Sequence, residues 1–218
     1  MGYILGGKNL SVNNKTFLDK DRFIYDYNDI ALKVYPKGRD TSGDMGLSVA
    51  KRLIGIDTER LLLPKSTLFF NEKYAGYSFQ KPSKGMFCGS IIDSSRENII
   101  SGIECLERDF DLLSENNILF SATTEEDVLY DDELFLFTHC YSFMKEHPNL
   151  QQYNREQLHW LLTSLVKSEL EKSNVDVNVI LQAEKLFGLK EAGESSSEFF
   201  GQILDRSTIS QFVKKTFK

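Results

Sequence analysis

The chain lacks any apolar run approaching the ~18 residues needed to cross a bilayer. Its first residues also lack the charged-then-apolar pattern of a secretion signal. A cytoplasmic protein is expected. Paired cysteines are missing too: Cys88, Cys105 and Cys140 are odd in number, far apart, and form no CxxC. This disfavours a disulfide framework and fits reduced thiols packed as small core residues. There is no cationic surplus. The net charge is −6 with both signs interspersed, so neither nucleic acid nor an anionic membrane is an expected partner. Gly6 stands where a myristoylated Gly2 would need Ser or Thr. The sequons Asn9-Leu10-Ser11 and Asn14-Lys15-Thr16 carry little meaning without a secretion route. Internal repeats and low-complexity segments are likewise lacking.

What is present is an apolar content of 41% in 218 residues, enough to bury the core of one large domain or two small lobes. In residues 16–36, Phe23, Tyr25 and Tyr27 precede the polar turn Asn28-Asp29 and a second apolar segment, which predicts a hairpin. A helix opening at Asp44 is expected to run through Leu47, Ala50, Leu53 and Ile54 and stop near Gly55. Thr67 to Phe70, the turn Asn71-Glu72-Lys73, and Tyr74 to Phe79 predict a second hairpin. Residues 80–90 hold Pro82, Gly85, Gly89, Ser83 and Ser90, the breaker-rich stretch expected of a connection between lobes.

Beyond it the pattern turns helical. Ile99, Ile103, Leu106, Phe110 and Leu113 recur at helical spacing. Asn154 is expected to cap a further helix with Leu158, Leu161, Leu162 and Leu165 on one face. Between these helices lie Ile118 to Phe120, a polar loop from Ser121 to Glu126, and two short strands, Asp127 to Tyr130 and Glu133 to Phe137, turned by Asp131-Asp132. Ser195-Ser196-Ser197 reads as a loop. Residues 170–218, with Val175, Val177, Ile180 to Phe187 and Phe199 to Phe217, read as two or three closing helices.

One residue stands out. Lys33 lies inside the apolar run Ile30-Ala31-Leu32-Lys33-Val34-Tyr35, where a lone charge is costly unless something anionic meets it. Ala31-Leu32-Lys33 resembles the protein kinase β3 motif that sets a lysine on nucleotide phosphates. Lys51 to Ile56, then Leu63-Pro64 and Gly76-Tyr77, resemble the stretch from the αC helix to strand β5 of bacterial kinase-like proteins. The likeness covers roughly residues 15–145. It implies an α+β, two-lobed protein kinase-like fold: a small β-rich N-lobe with one main helix over residues 1–80, a hinge over 81–90, and a short, mainly helical C-lobe over 91–218 with a hairpin near 127–137.

The same likeness says where phosphoryl transfer would need its groups, and the residues depart from it. A catalytic loop ending in Asn before an Ile-Leu strand would put Asp127 at the Asn position and Ala122 at the base, and alanine accepts no proton. Where Asp-Phe-Gly would hold magnesium, Phe137 is followed by Thr138-His139-Cys140, and a neutral threonine is a poor ligand. Thr16 to Arg22 has no glycine to let backbone N–H groups approach a phosphate, and adds Asp19 and Asp21. The helix that should offer Lys33 a glutamate has only Asp44 near its start. Losing one transition-state group slows such enzymes by ~10² to 10⁴, and here several are missing together.

Simpler roles compete at each position. Lys33 also fits a snorkelling or salt-bridged strand lysine. Asp127, Asp131 and Asp132 fit either a divalent-cation site or a wet turn. His139 and Cys140, as strand neighbours, point to opposite faces and make a poor catalytic pair. His159 suits a surface or interlobe position, and Trp160 and Cys88 suit packing. The expectation is a non-catalytic, pseudokinase-like scaffold or regulator whose partner is another protein, without cofactor. The alternative is an atypical phosphotransferase, nucleotidyl transferase or nucleotide sensor using Lys33 and Asp127, with ATP and magnesium. Oligomeric state is left open.

Overall fold

In the computed structural model, the described residues are 2–5, 8–11, 17–19, 23–35, 45–81, 96–120, 128–130, 134–136, 141–143, 148–172 and 195–205. The protein is mixed α+β. Its first part builds a seven-stranded antiparallel sheet in the order β2-β1-β6-β7-β5-β4-β3. The strands are β1 (Gly2–Leu5), β2 (Lys8–Ser11), β3 (Phe17–Asp19), β4 (Ile24–Tyr27), β5 (Ile30–Val34), β6 (Ser66–Phe70) and β7 (Lys73–Gln80).

Both expected hairpins form, and both use left-handed turn residues. Asn28 has φ 54°, and Asn71 and Glu72 have φ 47° and 63°, the two positive values a type I′ turn requires. Phe23 corrects the expected alternation. Its φ of 54° keeps it off the pleat, and fully buried Ile24 supplies the apolar face instead. β1 and β2 were not anticipated. Their four-residue length gives almost no period-2 signal, and only the Gly6-Gly7 dipeptide between them marks a hairpin.

Helix α1 (Leu47–Leu53) packs on β6 and β7. Its N-cap is Gly46, without a side-chain cap bond, so it does not open at Asp44, which lies outside the described residues. Gly55, at φ 99°, ends it as expected of an αL stop. One face of the sheet joins the main core through Ile24, Ala31, Tyr35, Tyr77 and Phe79; that core continues through Phe110 and Leu158 on helices and Phe120 on a short strand. The opposite face holds Leu32, Val34 and Leu68, flanked by Leu5, Tyr25, Tyr27 and Ile30.

Helix α2 (Arg96–Glu115) buries Ile99, Ile103, Leu106, Phe110 and Leu113, the periodic stripe read from the sequence. Asn117, at φ 55°, follows it in the left-handed conformation. Strand β8 (Ile118–Phe120) then pairs with β11 (Tyr141–Phe143), which was not foreseen, and β9 (Val128–Tyr130) pairs with β10 (Leu134–Leu136) as expected.

Helix α3 (Leu150–Lys172) begins before Asn154, because Asn149 already accepts the Tyr153 N–H at 2.9 Å. Asn154 is therefore not a cap. It is fully buried, donating to Ser114 Oγ at 2.8 Å and the Ile118 carbonyl at 2.9 Å while accepting the Phe120 N–H at 2.9 Å. Every donor and acceptor of that amide is engaged, so it fixes α2, β8 and α3 to one another.

Helix α4 (Ser196–Asp205) corrects the loop expected at the serine triplet. Ser195 Oγ accepts the Glu198 N–H at 3.1 Å and the Glu198 carboxylate accepts the Ser195 N–H at 3.2 Å, a reciprocal capping box. The signal was present as Ser195-x-x-Glu198. The other expected closing segments, in 173–194 and 206–218, lie outside the described residues.

Candidate functional site

Lys33 sits near the end of β5, with β4 on one side and β7 on the other; Ile24 and Tyr77 are its cross-strand partners. Cross-strand partners share a face, so Lys33 points with Ile24, Ala31 and Tyr77 toward the main core. The side chain is only 4% exposed. Its ammonium lies 5.9 Å from the centroid of the Tyr35 ring, within range of a cation–π attraction.

The walls are aromatic. Tyr35 stands 5.8 Å from Tyr74 and 6.4 Å from Tyr77, centroid to centroid. The Tyr35 and Tyr74 hydroxyls both donate to the Met45 carbonyl, at 3.0 and 3.2 Å, which ties the segment leading into α1 to the sheet. Burial pushes the Tyr74 phenol well above its usual value, so it acts as a fixed donor and not as an acid. Gly76 sets the backbone. With φ 139°, a Cβ there would lie 2.0 Å from the Lys33 carbonyl oxygen, so β7 approaches β5 at Lys33 as closely as only glycine allows.

Helix α1 has the sequence Leu-Ser-Val-Ala-Lys-Arg-Leu and brings no carboxylate to this face. Asp44 and Asp127, the other sequence candidates, lie outside the described residues, as do Ala122, Asp131, Asp132, Thr138, His139, Cys140 and Cys88. Among the described residues, no group of three or more His, Cys, Asp or Glu side chains could hold a metal ion. No helix is long and apolar enough to cross a membrane, among the described residues.

Sequence reasoning overlooked two carboxylates, both on α2. Asp109 is 1% exposed and accepts three consecutive backbone N–H groups: Glu59 at 2.9 Å, Arg60 at 2.7 Å and Leu61 at 2.8 Å. It clasps the segment after α1, which also exchanges backbone bonds with β10 through Leu62 N–H to Leu136 O and Leu136 N–H to Arg60 O, both 2.9 Å. Burial raises the Asp109 carboxyl above its ordinary value, and the three N–H bonds oppose that rise without cancelling it. Each such bond contributes on the order of 1.5–3 kcal/mol against a burial cost of several kcal/mol.

Glu107 accepts the Ser196 N–H and the Ser197 hydroxyl, docking α4 on α2. Nearby, Ser196 Oγ lies 3.4 Å from His159 Nδ1, and the imidazole packs edge-on against Phe199 at 5.0 Å. A serine, a histidine and a carboxylate thus meet, but the acid grips the serine backbone and its neighbour's hydroxyl, and Ser196 is only 2% exposed. The cluster is a helix clasp. Its detectable signal was an acid at the margin of the apolar stripe of α2.

No protein-family model matches the chain, and no curated protein matches it significantly. Cys105 is buried as expected, with its sulfur accepting from Arg108 at 3.1 Å. Trp160 is not packed. It is 52% exposed on α3.

Proposed function

We propose that the protein is a degenerate, kinase-like protein with two lobes and a pseudokinase role: a scaffold or regulator that binds another protein and does not transfer phosphate. The observation that carries this reading is the setting of Lys33. An interior strand of an antiparallel sheet buries a lysine whose ammonium lies 5.9 Å from the Tyr35 ring, as kinases set a strand lysine on phosphates, yet the sequence puts Ala122 and Thr138 where the base and the magnesium ligand would stand.

Kinase activity needs the strand lysine paired with a helix glutamate, together with a magnesium-binding aspartate. The first pairing has no acid from α1, and the sequence places Thr138 where the second would stand. The element order adds support: two hairpins on either side of α1 in the chain, then α2, then short paired strands.

Thermal unfolding with ATP, with and without magnesium or manganese, tests this. A ligand at 100 times its dissociation constant adds about 2.7 kcal/mol of stability. No shift is expected up to millimolar nucleotide, while a native-extract pull-down should recover a stoichiometric protein partner. A metal-dependent shift that disappears in Lys33→Met would overturn the proposal in favour of a nucleotide-using enzyme or sensor built on Lys33 and Asp127.

A further inference from the structure

Helix α3 buries Leu150, Asn154, Leu158, Leu161, Leu162 and Leu165. The opposite side carries Tyr153, Trp160 and Lys167, each seven residues from the next and so aligned along one stripe. Tyr153 is 37% exposed and Trp160 52%, and the Lys167 side chain is 43% exposed, with its ammonium 4.0 Å from the exposed Glu171 carboxylate one turn along, a loose surface pair that an interface can exchange. Trp160 is the single tryptophan of the chain, and these two aromatics are the large hydrophobic residues left exposed among the described residues. An indole half in water is costly surface, and at interfaces tryptophan and tyrosine are favoured anchors.

We infer that this face of α3 is a homodimer contact, in which two copies of the chain pair their α3 helices antiparallel about a two-fold axis at Trp160. The spacing makes the stripe complementary to itself. A two-fold axis at residue 160 sets Trp160 against Trp160 and brings Lys167 of each copy over Tyr153 of the other, because the two lie equally far from the axis. Glu156, exposed and one turn from Tyr153, then comes within reach of the same lysine, about 4.5 Å further along the helix axis. Each half of the contact therefore holds one cation–π pair and one opposite-charge pair, repeated by symmetry. A parallel pairing would instead stack Lys167 on Lys167 and Glu156 on Glu156. Like charges reject it.

The surface is small for a permanent assembly, so a weak, reversible dimer is expected. It does not depend on the kinase-like reading, and either can fail alone. Sedimentation should show the mass rising from 25.0 kDa toward twice that between about 1 and about 200 µM, with weaker association at high salt. Over the same range the emission of the lone tryptophan should move to the blue. Lys167→Glu should weaken the dimer at least about tenfold, and Glu156→Lys added to it should restore much of the loss. Trp160→Ala, judged by sedimentation, should leave a monomer with an unchanged melting temperature. A chain that stays monomeric throughout overturns the inference, and so does a dimer indifferent to Trp160→Ala or to Lys167→Glu.

Discussion

The sheet and the helical part are held together by different means. In the sheet, the decisive contact is between main chains: Gly76 lets β7 close on β5 at Lys33, and the residues around that approach are tyrosines bonded to the Met45 carbonyl. In the helical part, three buried polar side chains on α2 and α3 do the joining. Asp109 clasps the segment after α1, Asn154 ties β8 to two helices, and Glu107 docks α4. The sheet therefore tolerates changes of side chain better than changes of backbone geometry, while the helices depend on particular hydrogen-bonding groups.

The most damaging way to probe that difference is Gly76→Ala. The added Cβ would collide with the backbone oxygen of Lys33 and force an unfavourable φ, costing about 4 kcal/mol. Urea unfolding measures it. A loss below about 1 kcal/mol would mean the two strands can separate freely.

On the helical side, Asp109→Asn puts an amide N–H₂ where a carboxylate oxygen accepts backbone N–H groups, at a cost of about 2 kcal/mol at neutral pH. This residue also gives a pH signature. Its folded carboxyl titrates above the ordinary 3.8, so in that window the folded state binds more protons than the unfolded chain. Stability contributed by Asp109 is then greatest below 3.8 and falls as pH rises through the raised value. The stability difference between wild type and Asp109→Asn, followed from acid to neutral pH, should shrink across the window. A difference that grows instead would show that the N–H bonds outweigh burial.

The smallest effect belongs to the turn between β6 and β7. Glu72 holds φ 63°, a conformation glycine adopts without strain, and it is exposed. Glu72→Gly should stabilise the protein by about 0.5–1 kcal/mol, read as a rise in melting temperature.

Much of the framework was legible because it rests on local signals. Asn28-Asp29 and Asn71-Glu72 announced their turns, Gly55 announced the end of α1, and the apolar stripe of α2 announced its buried side. Signals of only a few residues misled or were passed over. By sequence the serine triplet at Ser195 reads as a loop though it opens a capping box, and Asn154 reads as a cap although Pro148-Asn149 stands closer to the true start. The candidate site was half legible. Lys33 was conspicuous as a charge within an apolar run, but the tyrosines near it were not, because Tyr74 and Tyr77 lie on β7 and Tyr35 just past the end of β5, and these meet only in the sheet.

From the sequence alone came the α+β class, the two main hairpins, the long helices with their buried sides, and the single lysine placed against its surroundings. Each depends on spacing along the chain, and periodicity and turn chemistry act over a few residues. The tertiary structure alone decided that Gly76 serves a close approach, that Asp109 and Glu107 are clasps, and that Trp160 faces water while Asn154 does not. Those outcomes depend on which distant backbone atoms arrive beside a side chain, and local pattern carries no record of that.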